Sequence, residues 1–64
     1  MELNQVIGLI KNTIVDLKDE EEMAKTRLRL AGRQEDDSRL AYLQGRREAY
    51  EVVLELLGKV ESEG

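Results

Sequence analysis

Sixty-four residues allow one domain at most, near the lower limit at which a chain buries enough apolar surface to fold alone. The chain has no Cys, His, Pro, Trp or Phe and a formal charge of −4. That composition leaves no disulfide framework, no zinc site built on Cys or His, and no His or Cys for acid–base or nucleophilic catalysis. Leu, Glu, Arg, Val and Ala dominate, which is helix-forming composition. No apolar run approaches the roughly 20 residues that cross a bilayer, and Met1-Glu2-Leu3-Asn4 has neither a basic n-region nor a cleavage site. The expectation is a single all-α domain over residues 1–64, cytoplasmic, with no membrane partner.

The first element is a heptad seam of Leu3, Ile7, Ile10, Ile14, Leu17, Glu21, Ala24, Leu28 and Ala31, with steps alternating four and three. It predicts helix 1 over about residues 3–31. Val6 and Leu9 widen the apolar face beyond what one partner helix covers. Gly32 comes directly after the last periodic residue, where a left-handed residue closes a helix, and Arg27 and Arg29 suit the negative end of the helix dipole. The segment 32–37 holds no large apolar residue and reads as a turn, with Asp36 or Asp37 as the N-cap of a second helix. So short a connection makes the two helices antiparallel neighbours.

Helix 2 is expected over about residues 38–60, carrying Leu40, Tyr42, Leu43, Ala49, Tyr50, Val53, Leu54, Leu56, Leu57 and Val60. These form two interleaved seams, so helix 2 is expected to be the more buried of the pair. Residues 61–64 read as a frayed tail. One continuous helix is the competing architecture, but the first register carried onward puts Glu35, Ser38, Gly45 and Lys59 at core positions and loses its seam. Folding near residue 35 sets helix 1 residue i opposite residue 70 − i, so that Leu17 meets Val53 and the run 19–22 lies beside Arg46 and Arg47. Gly45 and Ala49 would then offer a low spot for Ala24.

Two helices touch along one seam, whereas both apolar faces are wider than that. A homodimer that closes two antiparallel helical hairpins into a four-helix bundle would cover them. The residues expected in self-association are Val6, Ile7, Leu9, Ile10, Ile14, Leu17, Tyr42, Leu43, Ala49, Tyr50, Val53, Leu54, Leu56 and Leu57.

Charge is unevenly spread. Residues 1–22 carry two basic and six acidic groups, residues 23–47 seven basic and three acidic, and residues 48–64 one basic and five acidic. A hairpin gathers the basic middle at its turn and both acidic termini at its open end. Arg27, Arg29, Arg33 and Arg39 are candidate phosphate or nucleic-acid contacts, against which stand the net charge, Glu35, Asp36 and Asp37, and the lack of nearby aromatics to stack bases. Glu48, Glu51 and Glu55 form a candidate acidic ridge for a basic partner. The pairs Asp16/Glu20 and Glu51/Glu55 have the spacing to touch one cation, but solvated carboxylates are the favoured reading. No catalytic residue, cofactor or metal ligand is assigned.

The stretch Tyr42-Leu43-Gln44-Gly45-Arg46-Arg47-Glu48-Ala49-Tyr50-Glu51-Val52-Val53-Leu54-Glu55-Leu56-Leu57, about a quarter of the chain, resembles small uncharacterised helical-hairpin proteins of bacteriophages and Gram-positive bacteria. The resemblance implies a phage or mobile-element accessory protein that docks on a host protein, and it carries no residue roles. The leading expectation is a non-enzymatic protein–protein interaction module. The alternatives are a dimeric nucleic-acid-binding regulator acting through the basic turn end, and a structural subunit of a larger assembly.

Overall fold

The computed structural model describes residues 2–63, with side chains through Val60. It is all-helical. Helix α1 spans Leu3–Ala31 and helix α2 spans Gln34–Glu63, folded back on each other as a rod of 49 × 15 × 14 Å. Among the described residues no helix is long and apolar enough to cross a membrane.

Local chemistry sets both ends of α1. The Glu2 backbone N–H donates to Gln5 Oε1 at 3.1 Å, and the Glu2 carbonyl accepts from the N–H groups of Gln5 and Val6. This satisfies donors that a helix start otherwise leaves to water. At the far end Gly32 takes φ 61°, ψ 30°, and its N–H donates to the Leu28 carbonyl at 2.7 Å. That left-handed turn is inexpensive only for glycine, and it breaks the path that a single continuous helix would have needed.

The turn is shorter than the sequence suggests. It consists of Gly32 and Arg33, and α2 starts at Gln34 instead of about residue 38. The carbonyl of Arg33 accepts from the N–H groups of Asp36 and Asp37 at 3.1 and 3.3 Å, so these aspartates are not the N-cap. They sit with Glu35 inside the first turn, where the positive end of the helix dipole favours carboxylates. Acidic residues suit a first turn as well as a cap, and residues 34–38 offer no apolar periodicity to separate the two cases. At the other end α2 continues through Glu63, past the expected end at 60; Gly64 of the expected tail lies outside the described residues.

The core is one seam deep. In α1 Ile14, Leu17, Glu21 and Ala24 are buried, with Ile7, Ile10 and Leu28 half-buried on the same line. In α2 the facing line is Leu40, Leu43, Arg47, Tyr50, Leu54 and Leu57, of which Leu43 is buried and the others half-buried. Helix α2 is therefore not the more buried helix, because a single neighbour covers only one of its two interleaved seams. Leu17, Ala24 and Leu43 form the central cluster, with Leu40 and Tyr50 packed against it.

The register is fixed by Glu21 meeting Arg47, two residues short of the 70 − i pairing. The shorter turn moves the fold point toward the N-terminus, the direction of this shift. Tyr50, and not Val53, joins the Leu17 cluster, while Val53 is 42% exposed. Gly45 also departs from expectation: a Cβ built on it meets nothing within 4 Å, so it is no low spot for Ala24.

Candidate interaction surface

The seam divides the rod into two long faces of different chemistry. On one face the helical repeat aligns Val6, Leu9, Thr13, Asp16, Glu20, Met23, Arg27 and Leu30 of α1 beside Arg39, Tyr42, Arg46, Ala49, Val53, Leu56 and Val60 of α2. Contacts across the groove fix which flanks belong together, since Glu20, Met23, Arg27 and Arg39 line one shallow concavity. On the opposite face Lys18, Glu22, Lys25 and Arg47 line another, on the side where α2 carries Glu48, Glu51 and Glu55.

The first face is rich in uncovered apolar groups. Leu9, Met23, Leu56 and Val60 are each more than half exposed, Tyr42 is 62% exposed and Leu30 81%. Scattered exposed apolar residues are normal, whereas these six lie along one face of the rod. Of the residues expected in self-association, Val6, Leu9, Tyr42, Ala49, Val53 and Leu56 lie on this face. Ile14, Leu17 and Leu43 are buried inside the hairpin, and Ile7, Ile10, Tyr50, Leu54 and Leu57 lie half-buried along the seam, so these eight are occupied within the chain. Met23 and Leu30 complete the face and were missed in the sequence. Their signal was the seven-residue spacing Leu9, Asp16, Met23, Leu30, which continues one flank of the seam.

Tyr42 and Arg46 form a unit on this face. The Arg46 guanidinium lies 5.7 Å from the Tyr42 ring centroid, and its Nη1 donates to Tyr42 Oη at 3.4 Å. Hydrogen bonding to the phenols of Tyr50 and Tyr42 holds Arg46 above its ordinary pKa.

On the seam itself, Arg47 Nε donates to the 4%-exposed Glu21 at 2.5 Å, and Arg47 Nη1 donates to Glu51 Oε1 at 2.9 Å. These bonds, first to Glu21 and then to Glu51, raise the Arg47 pKa. The arginine thus bridges both helices and satisfies the buried carboxylate, as a seam position requires. Glu51 is consequently tied down, and the acidic ridge presents only Glu48 and Glu55 as unbridged carboxylates.

At the turn, Arg27, Arg33 and Arg39 line one concavity together with Leu30, Ala31, Glu35 and Asp36. Arg29 is not among its lining residues. Three of the four candidate arginines are thus brought together, in a setting where two carboxylates offset part of their charge. Among the described residues no group of three or more metal-ligating side chains converges. The chain matches no family model, no curated protein and no solved structure.

Proposed function

We propose that this chain is a non-enzymatic interaction protein that works as a homodimer, two hairpins pairing through the apolar face into a four-helix bundle whose charged surfaces bind and modulate another protein. A phage or mobile-element accessory role that acts on a host protein follows from the resemblance of residues 42–57 to such proteins. The observation that carries the reading is the set of exposed apolar residues on one face of a hairpin whose buried apolar residues, among those described, are Ile14, Leu17, Ala24 and Leu43. A core that small leaves a short chain marginal, and self-association is the staple open to a chain without disulfides. The rod's footprint of 49 × 15 Å, on the order of 700 Å², is close to the roughly 800 Å² per partner of a standard specific interface.

With that face covered, the turn tip at Arg33 and the Glu48/Glu55 side remain for the partner protein. Immobilised dimer should retain a specific protein from bacterial extract, and reversing Arg33 to Glu, or Glu48 and Glu55 to Lys, should release it. A monomeric chain that retains nothing would overturn the reading. A nucleic-acid-binding regulator is the second reading, favoured by the convergence of Arg27, Arg33 and Arg39 on one concavity. It predicts RNA or DNA affinity that falls steeply with salt and disappears when the three become Ala. Assembly above the dimer would instead favour a structural subunit.

A further inference from the structure

The apolar face has a polarity along the rod that restricts how a second copy can lie on it. From the turn to the open end, the α1 flank reads Leu30, Arg27, Met23, Glu20, Asp16, Thr13, Leu9, Val6, and the α2 flank beside it reads Arg39, Tyr42, Arg46, Ala49, Val53, Leu56, Val60. Carboxylates occupy the middle of the α1 flank only. Arginine occupies the α2 flank at nearly the same level. Among the described residues neither Asp16 nor Glu20 forms an ion pair, and Arg46 bonds Tyr42.

Two hairpins stacked face to face are related by a two-fold axis in the plane of the contact, which runs either across the rod or along it. An axis across the rod lays α1 on α1 and α2 on α2, turn over open end. The midpoint of α1 is residue 17, so Asp16 and Glu20 of both copies meet at the axis as four carboxylates, while Arg46 falls near Leu56 of the second copy. An axis along the rod lays α1 on α2 at the same level. By the Glu21–Arg47 register, Val6 and Leu9 then lie level with Val60 of the second copy, Met23 lies between its Tyr42 and Arg46, and Glu20 between its Arg46 and Ala49, each contact occurring twice. The second arrangement does gather both basic turns at one end. Of those arginines Arg27 and Arg39 lie on the contact face itself, but at its end and beside Glu35 and Asp36, where salt and water screen repulsion, whereas carboxylates at the centre of an interface are screened least.

We infer that the occupant of the apolar face is a second copy related by an axis along the rod, turn beside turn, with α1 of each copy on α2 of the other and Glu20 paired across the interface with Arg46. The inference rests on the homodimer reading above and adds its topology. Because the chain has no Cys, single spin labels can be placed at exposed positions through Gln34→Cys at the turn, Asn4→Cys at the open end and Asp19→Cys near the middle. Pulsed dipolar spectroscopy should give short label-to-label distances at all three positions, roughly 15–35 Å for a bundle of helices about 10 Å across with flexible labels. Distances near the full 49 Å of the rod at Gln34 and Asn4, with a short one at Asp19, would overturn the topology and keep the dimer. No dipolar coupling at any position would overturn dimer and topology together. A second measurement has opposite signs in the two arrangements. Glu20→Arg should weaken the dimer about tenfold if Glu20 faces Arg46 of the second copy; a tighter dimer, as relief of a four-carboxylate cluster would produce, overturns the inference.

Discussion

Leu43 and Leu56 are the same side chain on the same helix in opposite situations, 3% and 55% exposed in the hairpin, and truncating each to Ala separates the inner seam from the outer face. Leu43→Ala removes three carbons from the contact with Leu17 and Ala24. At ~0.8 kcal/mol per buried methylene the transfer loss is about 2.4 kcal/mol, and an unfilled cavity raises it toward 4. A core one seam deep lets neighbours collapse into the space, so about 2.5–3.5 kcal/mol is expected. Against a total of roughly 3–10 kcal/mol for a chain of this length, that is a severe loss. Leu56→Ala gives up less than half a buried side chain in the lone hairpin, about 1 kcal/mol, but about 2–3 kcal/mol per copy once the face is covered. Urea denaturation followed by circular dichroism at several protein concentrations checks both. Leu43→Ala should lower the midpoint at every concentration, and Leu56→Ala mainly where the dimer is populated. A Leu43→Ala protein within 0.5 kcal/mol of the parent would refute the packing argument.

Gly32→Ala forces a side chain into the left-handed region and should cost about 1–2 kcal/mol, with Gly32→Asn milder, as thermal melts would show. Gly45→Ala should stabilise the hairpin by about 0.5–1 kcal/mol, since the added Cβ meets nothing and helix propensity improves; a loss at Gly45 would mean that another backbone approaches it closely. Glu21→Arg and Arg47→Glu should each lower the melting temperature by putting like charges together at the seam, and the double reversal should recover much of it. Non-recovery would mean that the pair is incidental to the register.

Much of the fold was legible because helix chemistry is local. The three–four spacing named the covered line of α1 from Ile7 to Leu28, Glu21 included, although its end members Leu3 and Ala31 are exposed, and Gly32 after Ala31 marked the helix end. The start of α2 was not legible, since Glu35, Asp36 and Asp37 suit a first turn as well as a cap and no apolar residue lies nearby to break the tie. That ambiguity passed into the register, displaced it by two residues, and exchanged Val53 for Tyr50 in the cluster. Arg47 beside Glu21 was legible as well, since folding the chain near residue 35 already lays the run 19–22 beside Arg46 and Arg47. At the candidate surface, the excess apolar width was visible in the sequence, whereas its division between an inner seam and an outer face required the helices' mutual rotation.

The central claim is that the apolar face formed by Leu9, Met23, Tyr42, Val53, Leu56 and Val60 is covered by a second copy. Light scattering coupled to size exclusion tests it most directly, on the parent chain and on a Val53→Glu, Leu56→Glu variant. The parent should elute with twice the 7.3 kDa chain mass and the variant with the single mass, both helical. A parent chain that is monomeric and fully helical at concentrations well above micromolar would contradict the claim.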